Sequence, residues 1–122
     1  MKPISTPNAP AAIGPYSQGM DIGNLIFTSG QIPVDPFSGN IPEGIEAQAH
    51  ASCSNVGTIL QAAGSDFSKV VKTTCFLADM ADFAQFNAVY ETYFISKPAR
   101  SCVAVKALPR GVLCEIEAIA LK

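Results

Sequence analysis

Along this chain the spacing of apolar positions changes twice, and the changes mark out its elements. Tyr16 to Ile22 and Leu25 to Ser29 are short extended segments on either side of Gly23-Asn24, a pair suited to a two-residue hairpin turn. From Ile45 the spacing lengthens. Ile45, Ala49, Cys53, Val56, Leu60 and Ala63 recur at steps of three and four, with Gly64 as a stop, which predicts a helix buried on one face. Val70 to Leu77 is β-branched and alternating, and reads as a strand. Asp79 stands where an N-cap belongs, and Asp82 favours the positive end of a second helix. That helix runs to about Phe94, with Phe83, Phe86, Tyr90 and Phe94 on one face. Two further strands, Arg100 to Lys106 and Leu113 to Leu121, are joined through Leu108-Pro109-Arg110-Gly111.

Elsewhere the pattern breaks. Met1 to Pro15, rich in Pro, Ala and small polar residues, reads as an arm lying on the surface or on a neighbour. Gly30 to Gly44 carries Pro33, Pro36, Pro42 and Gly39-Asn40, so it reads as loop with room for one short strand. The resulting order, strand-strand-(strand)-helix-strand-helix-strand-strand, predicts an α+β domain with both helices on one face of a mixed sheet. The other sheet face is still apolar and needs a cover, which points to an oligomer.

Composition strengthens that expectation. The 122 residues form one domain, 1–122, and 48% of them are hydrophobic against 15% charged, too few charges to coat a small monomer. The net charge of −2 leaves no electrostatic footprint for nucleic acid. Residues 1–68 hold one basic and five acidic side chains, whereas residues 69–122 hold seven basic and five acidic ones, without a basic run. Cys53, Cys75, Cys102 and Cys114 lie 22, 27 and 12 positions apart, none a metal or redox spacing, and each falls in an apolar stretch. Buried, reduced thiols are expected. With no signal pattern and no membrane-length apolar run, the expected location is the cytoplasm.

Candidate chemistry centres on Arg100, in the run Pro98-Ala99-Arg100-Ser101-Cys102-Val103-Ala104-Val105. Pro98 opens the strand, and two residues later comes a permanent charge with a planar fork of donors, suited to a carboxylate or phosphate. A surface charge at a strand end is the plainer reading. Asn87 falls between Phe83 and Tyr90 on the apolar side of its helix; it is either a satisfied structural amide or a site residue. On the last strand Glu115, Glu117, Ile119 and Leu121 share a face. Antiparallel pairing of the last two strands is expected to bring Cys102 opposite a residue between 115 and 119, turning Glu115 and Arg100 to one cleft. Glu115 is then a salt-bridge partner, or a carboxylate that positions or deprotonates a water. Cys102 has no His base at recognisable spacing and is disfavoured as a nucleophile. His50, off the apolar stripe of its helix, reads as a solvated or rim residue. Phosphate loop, nucleophile elbow, His triad and zinc motif are all missing. An Arg, a carboxylate, an amide and the backbone around Ser29-Gly30-Gln31 suit a reaction needing a positioned substrate and a positioned water.

Four motifs in order, Ala12-Ile13-Gly14-Pro15-Tyr16-Ser17-Gln18, Thr28-Ser29-Gly30-Gln31-Ile32-Pro33, Pro98-Ala99-Arg100-Ser101-Cys102-Val103 and Glu115-Ile116-Glu117-Ala118-Ile119-Ala120, closely resemble the Rid (YjgF-like) family. The resemblance is to its RidA branch of enamine/imine deaminases, also labelled endoribonuclease L-PSP. It implies a homotrimer of chorismate-mutase-like α+β subunits with active sites in the clefts between them. Arg100 would bind the substrate carboxylate, and Glu115 with the backbone at Cys102 would orient the attacking water. Tyr16, Gly30 and Asn87, with Ser29 beside them, would line the pocket. The implied reaction hydrolyses 2-enamino or 2-imino acids, such as 2-aminoacrylate or 2-iminobutanoate, to 2-oxo acids and ammonia, without metal or cofactor. One departure stands out: Lys97 occupies a position the family commonly gives to an aromatic residue, after a shortened connection. This implies a pocket that is wider, more basic or differently closed. Two other readings compete with deamination. One is an endoribonuclease or translation inhibitor, and the other a non-catalytic carboxylate-binding or chaperone-like module.

Overall fold

Two helical crossovers of the same hand organise the molecule. In the structure, a computed structural model describing residues 1–122, strands β1 (Lys2–Ile4), β2 (Gly19–Asp21) and β3 (Leu25–Thr28) precede helix α1 (Ile45–Ala62). Strand β4 (Val70–Leu77), helix α2 (Phe83–Tyr93), and strands β5 (Ala99–Ala104) and β6 (Cys114–Leu121) follow. They build one six-stranded sheet in the order β1-β2-β3-β6-β4-β5. Strand β6 is antiparallel to both β3 and β4, while β5 runs parallel to β4. The units β3-α1-β4 and β4-α2-β5 are therefore parallel crossovers that step in the same direction across the sheet. Right-handed crossovers stepping one way place their helices on one face. The α+β class and the one-sided helical layer agree with the sequence.

Between the helices and the sheet lies a single core. Ala49, Cys53, Val56, Ile59 and Leu60 of α1 and Phe86 and Tyr90 of α2 pack on Cys75, Leu77, Cys114, Ile116 and Ala120. The expected helix boundaries hold, with Gly64 in a left-handed conformation (φ 80°) just past the end of α1. Asp79 caps as anticipated, but its carboxylate accepts from Ala81 N at 2.9 Å to start a 3₁₀ turn, Met80–Asp82, which leads into α2. The hairpin at Gly23-Asn24 forms, closed by Ile22 N donating to Leu25 O at 3.0 Å.

Three local expectations are corrected. The N-terminal arm is not merely laid on the surface, because Lys2–Ile4 adds an edge strand and Ile4 is buried. Gln18 fastens the rest of the arm. Its Oε1 accepts from Thr6 N at 2.7 Å, and its Nε2 donates to the carbonyls of Thr6, Ala9 and Pro10 at 3.1, 3.2 and 2.8 Å. That use of Gln18 shortens the following strand to Gly19–Asp21. In the Gly30–Gly44 loop, the short strand reduces to one bridge between Gln31 and Ile116. A single ion pair, Lys122 Nζ to Asp21 Oδ2 at 2.7 Å, ties the C-terminus to β2. No helix is long and apolar enough to cross a membrane.

The sheet's open face mixes Glu115, Glu117 and Lys72 with Phe27, Phe76, Val103, Ile119 and Leu121. Of these, Phe27, Val103 and Leu121 are exposed.

Candidate active site

Arg100 sits where the edge strand β5 meets helix α2. Its Cα partner across the parallel ladder is Thr73, a buried residue of β4, so Arg100 lies on the helical side of the sheet. The guanidinium donates from Nη1 to Asn87 Oδ1 at 2.8 Å. Its Cζ lies 4.8 Å from the centroid of the Tyr90 ring and 5.6 Å from that of Phe83. Cation–π attraction holds the charge there without neutralising it. No carboxylate pairs with Arg100. Asn87, Tyr90, Phe94, Lys97 and Pro98 join it in lining an open groove of about 660 Å³. Lys97 adopts a left-handed backbone (φ 50°), closing the tight turn with Lys97 N donating to Phe94 O at 3.1 Å. The shortened connection thus brings a second cation to a groove that the Glu91 carboxylate also lines.

Cys102 follows two residues later on the same face, half-buried, with Cys75 as its ladder partner. Burial pushes its thiol above the ordinary range, against the lowering influence of Arg100, so it lacks the character of a nucleophile. Cys53, Cys75 and Cys114 are buried free thiols, as composition suggested.

Glu115 occupies the opposite side. Its ladder partner Phe76 is also the partner of Val103, on the face away from the helices. Antiparallel pairing of β5 with β6 therefore does not occur: β4 lies between them, and Cys75 faces Cys102 on one flank and Ile116 on the other. The reason is connectivity. A strand that returns through one helix joins its predecessor in parallel, so β5 takes the free edge of β4 and β6 fills the slot beside β3. Within one chain, Arg100 and Glu115 do not share a cleft.

What Glu115 does share is the loop after β3. A Cβ placed on Gly30 would lie 2.7 Å from Glu115 Oε1 and 2.9 Å from its Cδ, so only glycine lets the carboxylate rest there. Reciprocal bonds between Gln31 and Ile116, at 2.8 and 3.2 Å, fasten the loop beside it. Burial, and secondarily the charge of Glu117, hold the Glu115 carboxyl above the ordinary carboxylate range. Tyr16 is exposed and lines a recess together with Gly30, Gln31 and Arg110. The Ser29 hydroxyl donates to Ser17 O at 2.5 Å.

The candidate residues thus fall into two clusters: Arg100, Asn87 and Cys102 on the helical side, Glu115, Gly30 and Tyr16 on the loop side. The sequence also matches the family model described as Endoribonuclease L-PSP over residues 6–122. The chain belongs to this family, the Rid or YjgF family. It is 54% identical to the 2-iminobutanoate/2-iminopropanoate deaminase of Escherichia coli strain K12, over 99% of this chain and 98% of that protein. Identity is also 54% to the mouse protein of the same name, over 99% and 91%. Among solved structures, Escherichia coli TdcF with bound serine superposes with a TM-score of 0.97 at 48% identity, covering 100% of this chain and 99% of that one. The YjgF gene product of Escherichia coli gives a TM-score of 0.97 at 53% identity, covering 100% and 99%.

Two residues beside Arg100, Tyr90 and Thr73, escape the sequence reading. Tyr90 was counted with the phenylalanines of the core stripe, and Thr73 with the alternating residues of β4. The signal available was the hydroxyl itself: a tyrosine among phenylalanines on a buried face needs a polar partner.

Proposed function

We propose that this chain is a cofactor-independent deaminase that hydrolyses 2-imino and 2-enamino acids to 2-oxo acids and ammonia. Support comes from relatives bearing that activity's name at 54% identity, and one observation carries the reading to the residues. Arg100 is held by an amide and two aromatic faces and by no carboxylate, which leaves its charge for an incoming substrate carboxylate.

The chemistry asks for little else. An iminium carbon is already electrophilic, so water adds once both are aligned. Glu115, with its proton affinity raised by burial, accepts a proton as the water attacks. Protonated Glu115 then gives that proton to the carbinolamine nitrogen and takes the hydroxyl proton as the C–N bond breaks, so that ammonia leaves, the 2-oxo acid remains and the last proton returns to solvent. Neutral partners around Arg100 and a half-buried base suit attack on a substrate whose one fixed charge is its carboxylate.

Because Arg100 and Glu115 face opposite sides of one sheet, the working site takes Arg100, Asn87 and the Cys102 backbone from one copy. Glu115, Gly30 and Tyr16 come from another. A homotrimer of single-domain subunits supplies three such sites and covers the exposed Phe27, Val103 and Leu121 of the open face. The four free thiols suit a reducing compartment such as the cytoplasm. Endoribonuclease chemistry has less support. The net charge is −2, and the single histidine, His50, bonds Tyr93 at 2.9 Å on the outside of α1.

Complementation tests both activity and sharing. Arg100→Ala and Glu115→Gln homomers are each expected to lose acceleration of ammonia release from an enamine generated in the same tube. Co-assembled in equal amounts, they regain about one quarter of wild-type activity, since random assembly reunites intact partners at that frequency. No recovery would place the whole site within one chain, and undiminished single variants would remove the proposed roles.

A further inference from the structure

Arg100 heads a column of aromatic contacts that runs from the groove to the half-buried Phe67. Its Cζ lies 4.8 Å above the Tyr90 ring, and the Phe94 ring is stacked on Tyr90 at 4.4 Å and 20°. Phe67 closes the column, edge-on to Phe94 at 5.1 Å and 87°. The edge of the middle ring is pinned as well. Tyr90 Oη and Thr73 Oγ1 are 2.6 Å apart in a buried hydroxyl pair, and Thr73 is the residue facing Arg100 across the β4–β5 ladder. The hydroxyl that fixes the ring and the backbone that carries the guanidinium therefore belong to adjacent strands in register.

Stability alone does not ask for this pair. Two buried hydroxyls that satisfy only each other can be replaced by apolar groups of the same shape at little net cost. What the pair adds is direction: it removes the freedom of Tyr90 to slide or tilt under the charge. Asn87 then fixes the guanidinium's rotation about its axis through Oδ1 at 2.8 Å.

We infer that Tyr90, locked by Thr73, is a positioning residue that holds the Arg100 fork in the orientation needed to grip a substrate carboxylate. The consequence for substrate rests on the deaminase reading; the ordering of Arg100 does not. Disordering a group that grips the substrate carboxylate equally before and during reaction raises KM and leaves kcat nearly unchanged.

Two paired variants separate these claims. Thr73→Val with Tyr90→Phe keeps the column and removes only the hydroxyls, while Thr73→Val with Tyr90→Leu removes the aromatic face too. Steady-state deamination is expected to show KM raised about threefold in the first and about tenfold in the second, with kcat within about twofold. Thr73→Ser, which retains the hydroxyl, keeps the wild-type KM. Independently of turnover, the Arg100 Nε–H order parameter from nitrogen-15 relaxation is expected to fall in the same sequence. If the leucine variant does not fold, the phenylalanine variant decides alone. Unchanged Arg100 order and unchanged KM in the folded variants would overturn the inference. A wild-type protein that deaminates nothing, with Arg100 order still falling, would overturn the deaminase reading and leave the positioning role standing.

Discussion

The two faces of the sheet solve opposite problems with the charges they carry. On the helical side Arg100 is fixed by neutral groups, an amide and aromatic rings, inside packing set by α2. On the loop side Glu115 is held by the absence of a side chain at Gly30 and by partial burial that disfavours its charge. One face preserves a cation; the other makes an anion more basic. A binding group benefits from the first treatment and a proton acceptor from the second.

That contrast can be broken most visibly in the kinetics. Glu115→Gln removes the proton acceptor and is expected to lower kcat by about 10²- to 10⁴-fold with KM nearly unchanged. Arg100→Ala removes a charge-assisted contact and is expected to raise KM about 10- to 100-fold. Steady-state rates on both variants check the split, and equal effects on the same parameter would erase the division of labour.

Gly30→Ala tests the loop side more gently. The added Cβ would press on the mobile end of Glu115, so the carboxylate swings aside while the fold survives. A loss of about tenfold in kcat, with an unchanged circular dichroism spectrum, is the expected result.

The smallest effect is on stability. A carboxyl whose folded value is raised contributes stability below the ordinary carboxylate range, and that contribution is lost as pH rises through the raised value. Glu115→Gln escapes the loss. Its melting temperature is expected to exceed wild type at pH 7 and to converge on it as pH falls below the ordinary carboxylate range. A variant no more stable than wild type at pH 7 would overturn the idea that burial governs the Glu115 carboxyl.

Long periodic segments were legible from sequence because local pattern and tertiary burial agree in them. Val70–Leu77 appears with the expected bounds, and α1 ends one residue short of its last periodic alanine. Lys2–Ile4 was not legible. Three residues containing a proline carry no alternation, and they pair only because Ile4 finds the core and Gln18 ties down the chain behind them. The site was legible by residue type, since Arg100, Asn87 and Glu115 each stand out chemically, but its grouping was not. Sheet neighbours follow from crossover geometry rather than chain order, and the strand-helix-strand unit from Val70 to Ala104 already held the information that β5 pairs with β4. Reading the last two strands as a hairpin put two charges in one cleft that lie on opposite faces.

The lone ion pair between Lys122 and Asp21 separates the protein's responses to ionic strength. A fold held by an apolar core and one pair whose carboxylate is buried loses little when salt screens its charges. Carboxylate capture as proposed for Arg100, in an open groove, is a charge interaction within reach of mobile ions. On that reading added salt loosens the grip on substrate while the scaffold beneath stays intact, so the protein is dimmed without being unfolded.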